Sequence, residues 1–190
     1  MTTNRLEAFS DGVLAIIITI MILELKVPEG NDLKALTALL PKFLSYIFSF
    51  IYVGIYWNNH HHLFQAIEKS NGKILVANLN LLFWLSLIPF ATGWIGESNF
   101  SSNPTTLYCF ILLMSAISFL ILEKSIIKSE GKNTKISLAL GTHQKEKISL
   151  IFYTFSLILS FYFSIISLII VYAIALIWII PDKRIEKVLN

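Results

Sequence analysis

Five runs without a single charged side chain divide this chain, and they leave few folds open to it. Gly12–Leu23 holds 12 uncharged residues, Phe43–Ile67 holds 25, Ile74–Gly96 holds 23, Ser98–Leu122 holds 25 and Ile148–Pro181 holds 34. A hydrocarbon core of about 30 Å needs about 20 predominantly apolar helical residues. The second, third and fourth runs each meet that length. With 55% hydrophobic and 14% charged residues and a mean hydropathy of +0.70, the composition is far from that of a soluble domain. The fold class predicted is an all-α membrane protein, a single domain over residues 1–190. Glu7 and Asp11 near the N-terminus, without a small-residue cleavage site, argue against a cleavable signal peptide.

The 34-residue run decides the number of spans. As one helix it would be about 51 Å long. Ser160-Phe161-Tyr162-Phe163-Ser164 interrupts its Ile/Leu blocks, so a hairpin there is predicted, giving two short helices that tilt or local thinning accommodates. Six transmembrane helices follow, over about 5–27, 36–66, 71–97, 103–128, 146–162 and 164–181. On that topology Lys26, Lys34 and Lys42 lie on one side. Arg5, Lys69, Lys73, the lysines of 124–147 and Lys183, Arg184 and Lys187 lie on the other. The positive-inside rule then puts both termini in the cytoplasm of a multi-pass protein of the cell (inner) membrane. Five spans would spoil the asymmetry. The connection Lys124–Lys147 is predicted to be the longest hydrophilic one, with a turn at Ser129–Asn133 and a short interfacial helix at Ile136–Leu140.

The first run is too short. Twelve residues between Asp11 and Glu24 span roughly 18 Å, so a lipid-facing helix would draw both carboxylates into oil. Ionisable groups at membrane depth face a bundle interior or a water-filled path, so this helix is predicted to lie inside protein. Gly12, Ile16, Thr19 or Ile20, and Leu23 recur every three or four residues and share one face. That face has two readings, ordinary helix packing or, if several copies surround an axis, stacked apolar rings with one threonine layer. Rings of that kind gate pores by dewetting. For Thr19, the alternatives are a hydroxyl facing an ion and a back-bond to the carbonyl four residues earlier.

The second dense patch is Tyr56-Trp57-Asn58-Asn59-His60-His61-His62. Consecutive helical residues point about 100° apart, so the three histidines cannot share one ion. A two-ligand site with Asp11 is the most a metal reading allows, and no metal or cofactor is assigned. The topology brings Arg5, Ser10, Asp11, Trp57, His60 to His62, Asn78 and Asn80 into one layer, and a hydrogen-bonded, structural or gating network joining the first three spans is predicted, with Phe9 among its residues. Pro89 is predicted to kink the third. Cys109 stands alone and forms no intrachain disulfide. No Gly-rich phosphate loop, CxxC, HExxH or GxSxG occurs. The net charge of +3 is explained by topology, so no nucleic-acid partner is predicted.

The Arg5-x-x-x-Phe9-Ser10-Asp11-Gly12 segment and its Ile-rich helix resemble the signature of bacterial members of the transmembrane-protein-175 family of potassium channels. Trp57-x-x-His60-His61, Asn80 and Pro89-Phe90 fit the same pattern. The resemblance implies a homotetramer of six-helix subunits, with the first helix of each lining a central pore for monovalent cations and no Thr-Val-Gly-Tyr-Gly filter. Carried over by position, Ile16 and Thr19 are the narrow layers, and Ile20 and Leu23 the outer ones.

Three classes of function therefore compete. The leading one is a potassium-permeable channel. The alternative is a proton-coupled secondary transporter using Asp11 and a histidine as a protonation pair, but the repeats and broken helices that favour transporters are not evident in the sequence. A metal-dependent intramembrane enzyme would need carboxylates and histidines at catalytic spacing on two or more helices. None stand so, and the chain is read as not an enzyme.

Overall fold

The structure is a computed structural model, and it describes residues 3–67, 69–131 and 143–179. Among these residues the chain is almost wholly α-helical. The helices are α1 (Thr3–Leu23), α2 (Leu33–Thr37), α3 (Leu40–Gln65), α4 (Gly72–Ser86), α5 (Ile88–Glu97), α6 (Ser102–Glu130), α7 (Gln144–Ser160) and α8 (Ser164–Ile179). The stretches 3–23, 72–97 and 102–130 are each long and apolar enough to cross a membrane.

Local chemistry sets the element ends. Asp32 caps α2 by accepting from the Ala35 N–H at 2.8 Å. Asn71 caps α4 through the N–H groups of Lys73 and Ile74. Pro41 sits in the first turn of α3, where its missing N–H costs nothing. The predicted span over 36–66 is therefore two helices, a short α2 and a long α3. Likewise, the span predicted over 71–97 is interrupted at Leu87, because Pro89 lacks an N–H and its ring crowds the carbonyl four residues back. The helix resumes at Ile88 as α5. At the other end, α6 runs on to Glu130 and stops at Gly131, whose φ of 95° only glycine adopts freely. Lys124, Lys128 and Ser129 are thus helical rather than part of a connection or turn. The short helix predicted at Ile136–Leu140 and the basic residues Lys183, Arg184 and Lys187 lie outside the described residues.

α6 is the central rod. It packs against α4 and α5 on one side and α7 and α8 on the other, while α3 lies against α1, α5 and α8. In a bilayer lipid offers apolar side chains the same environment as a neighbouring helix, so small residues and hydroxyls hold helices together. The α7–α8 hairpin turns at Phe161 and Tyr162. It is clasped by Ser156 and Ser167, whose hydroxyl oxygens lie 2.7 Å apart while each reaches the other's carbonyl. Cys109 of α6 adds its sulfur 3.3 Å from Ser167. Deeper in the bundle, Thr92 donates to Ser49 at 2.7 Å, Ser49 meets the Tyr108 hydroxyl at 3.0 Å, and Tyr52 meets Tyr153 at 3.1 Å. Outward stand Phe83, Phe90, Ile151, Phe155, Ile165 and Leu176, all exposed. That is the surface a lipid-facing bundle presents.

Candidate functional site

α1 has two unlike faces. Leu6, Ser10, Leu14, Ile17 and Met21 recur every three or four residues and are buried against α3, α4 and α5. On the opposite face Ile16 is 59% exposed, Ile20 42% and Leu23 74%, and Gly12 and Thr19 are exposed with them. A Cβ added at Gly12 would meet nothing within 4 Å, so nothing in its own chain requires a glycine there. The Thr19 hydroxyl donates to the Ala15 carbonyl at 2.8 Å. That back-bond uses the proton and leaves the oxygen lone pairs facing outward, able to accept or to ligate a cation.

The buried face is held by polar ties at the N-terminal end of α1. Asn78 of α4 donates its Nδ2 to the Ser10 hydroxyl oxygen at 2.9 Å. The Ser10 hydroxyl in turn donates to the Leu6 carbonyl at 2.9 Å. Asn78 Oδ1 then accepts from His60 Nε2 at 2.7 Å, which assigns the ring its Nε2–H tautomer. Ser10, His60 and Asn78 are all fully buried, and the His60 ring stacks on Phe64 with centroids 4.4 Å apart. One turn away, Trp57 Nε1 donates to Asp11 Oδ1 at 3.0 Å. His61 Nδ1 lies 2.6 Å from Glu7 Oε1, and Gln65 Nε2 lies 2.8 Å from His61 Nε2. The carboxylate can only accept and the Gln65 amide can donate, so a neutral His61 with its proton on Nδ1 satisfies both contacts. Trp57 stacks on His61 with an interplanar angle of 14°.

These ties include several residues singled out from the sequence and exclude others. Ser10, Asp11, Trp57, His60, His61 and Asn78 lie together at the junction of α1, α3 and α4. Asn80 does not join them: it donates to Ser118 of α6 at 2.7 Å. Two residues along a helix means a rotation of about 200°, so Asn78 and Asn80 cannot serve one layer. Arg5 is exposed and makes no hydrogen bond or ion pair among the described residues. Phe9 is 53% exposed and stands on the open side. Asp11 bonds an indole, and no Asp11–histidine pair of the kind the carrier reading names is formed among the described residues. Nor do Asp11 and the histidines converge as metal ligands among the described residues. Glu7 was missed. Its position one turn before Asp11 was a usable signal, since both carboxylates then face α3.

Fold and ties together define a class: a polytopic helical membrane protein whose first helix is pinned on one face and open on the other. Residues 5–89 match the family described as the endosomal/lysosomal potassium channel TMEM175. A potassium channel of Chryseobacterium sp. (strain P1-3) is 62% identical over 190 residues, 100% of this chain and 99% of that protein. The endosomal/lysosomal proton channel TMEM175 of Homo sapiens is 30% identical over 159 residues, 74% of this chain and 31% of that one. Among solved structures, the crystal structure of a lysosomal potassium-selective channel TMEM175 homolog from Chamaesiphon minutus superposes with a TM-score of 0.82 at 27% identity. That match covers 95% of this chain and 98% of the other. The chain belongs to the TMEM175 family.

Proposed function

We propose that the protein is a potassium-permeable channel in which four copies place α1 around a common axis. The observation that carries this reading is the open strip of α1. A helix with only 12 uncharged residues between Asp11 and Glu24 turns Ile16, Thr19, Ile20 and Leu23 away from its own chain, at a depth where a lone lipid-facing helix is costly. The relatives named as potassium channels support the same reading. Around the axis, Ile16, Ile20 and Leu23 form apolar rings that exclude water, and Thr19 supplies the layer whose oxygens replace part of an ion's hydration shell. The ties to Ser10, Asp11 and Glu7 keep each α1 at a fixed rotation. The lysine and arginine asymmetry supports an orientation with both termini in the cytoplasm of a protein of the cell (inner) membrane.

Reconstitution into liposomes under a potassium gradient tests this. Passive potassium flux with unitary current steps is expected. Flux that saturates without steps and follows a proton gradient would instead fit a carrier and overturn the channel reading.

A further inference from the structure

On the same side of the bundle as the polar ties, α6 and α7 bring together three side chains that conduction through α1 does not use. Glu123 lies in the last third of α6, and His143 and Glu146 lie at the start of α7. One ligand atom from each of the three falls within 4.8 Å of the others. Glu123 is 1% exposed and Glu146 4%. His143 is the residue just before α7, in a left-handed conformation, and Glu146 lies in the first turn.

Three observations distinguish this trio from solvated surface charge. The first is donor chemistry. One imidazole nitrogen and two carboxylates suit zinc or manganese, whereas calcium and magnesium prefer oxygen alone. The second is spacing. His143 Nδ1 stands 3.4 Å from Glu123 Oε2, long for a hydrogen bond. Nitrogen and oxygen ligands about 2.0–2.2 Å from a tetrahedral zinc lie about 3.4 Å from each other. The third is space. A cavity of about 40 Å³ borders Glu146, lined also by Asn59, Ser149, Tyr153 and Trp178. A water needs about 10–15 Å³, so there is room for one beside Glu146.

We propose that Glu123, His143 and Glu146 bind one divalent transition-metal ion, zinc or manganese, which clamps the end of α6 to the start of α7. The clamp fixes how the α7–α8 hairpin meets the central rod. Binding is independent of whether α1 conducts, and it is read without any current.

The test uses the tag-free full-length protein in nanodiscs, stripped by a chelator and then titrated with Zn²⁺ by calorimetry and with Co²⁺ by visible absorption. One ion per chain is expected, with a cobalt ligand-field band. Glu146→Gln keeps the shape of the side chain, and His143→Asn suits the left-handed backbone there (φ 44°). Each is expected to weaken binding at least about tenfold and to diminish the cobalt band, with an unchanged size-exclusion profile. Should either variant fail to fold, Glu123→Gln replaces it. No stoichiometric uptake by the wild type would leave the trio an ion pair only and overturn the proposal. Undiminished uptake by the folded variants would overturn it equally.

Discussion

In the proposed channel one Thr19 hydroxyl would serve two purposes. Its proton goes to the Ala15 carbonyl, so the back-bond and an outward-facing lone pair coexist and the two sequence alternatives are compatible. Thr19→Val keeps the shape, removes the oxygen and costs at most about 1 kcal/mol of stability, because the lost bond is an exposed one. Potassium preference over sodium in bi-ionic reversal potentials is expected to fall while the protein remains folded. An intact preference would remove Thr19 from the selective layer. Ile16 stands one turn beyond Gly12 and is 59% exposed. An amide at that ring admits water, so Ile16→Asn is expected to raise single-channel cation current about tenfold, equivalent to about 1.4 kcal/mol off the barrier, and to erode selectivity. Unaltered current and selectivity would place Ile16 away from the axis.

At the scale of the element, α1 is held by unequal ties. Ser10, Asn78 and His60 form a fully buried chain, whereas Asp11 is only partly buried and bonds Trp57 alone. Removing the middle member leaves two buried polar groups short of a partner, at about 1–3 kcal/mol each. Asn78→Ala is therefore expected to lower the thermal midpoint in detergent more than Trp57→Phe does, and the reverse order would show that the outer tie dominates. Gly12→Ala meets no atom of its own chain and should stabilise the helix by about 0.5–1 kcal/mol. A loss of current without a loss of folded protein would put the new methyl against a symmetry mate. Much of this element was legible in the sequence, since short apolar length and flanking charges both constrain α1 strongly. Glu7 was not, because a lone acidic residue near a terminus reads as solvated until its turn-mate Asp11 and the α3 histidines are seen to share a face. Asn80 misled because depth was weighed without rotation. The Glu123–His143–Glu146 trio was hidden more thoroughly. Nineteen residues, a lysine-rich connection among them, separate Glu123 from His143, and only the packing of α6 on α7 joins them.

For the whole molecule, the proposed channel requires assembly. Association about a two- or four-fold axis repeats one patch on every copy, and four Ile16 side chains close an axis more tightly than five. In detergent, light scattering is expected to give a protein mass about four times the 21.6 kDa chain, with cysteines introduced at position 16 crosslinking between neighbours. A conducting monomer would end the pore reading. The brevity of the apolar strip has an electrical consequence. In the proposed channel the dry stretch from Ile16 to Leu23 would be roughly 10 Å long, against about 30 Å of hydrocarbon. The channel's wet vestibules on either side would be conductive, so nearly all of the membrane voltage would drop across those few rings. An ion at Thr19 has then crossed about half of the potential, or about 1.2 kcal/mol at 100 mV, although it has travelled only one helical turn. The occupancy of that layer is thereby set by voltage as directly as by concentration.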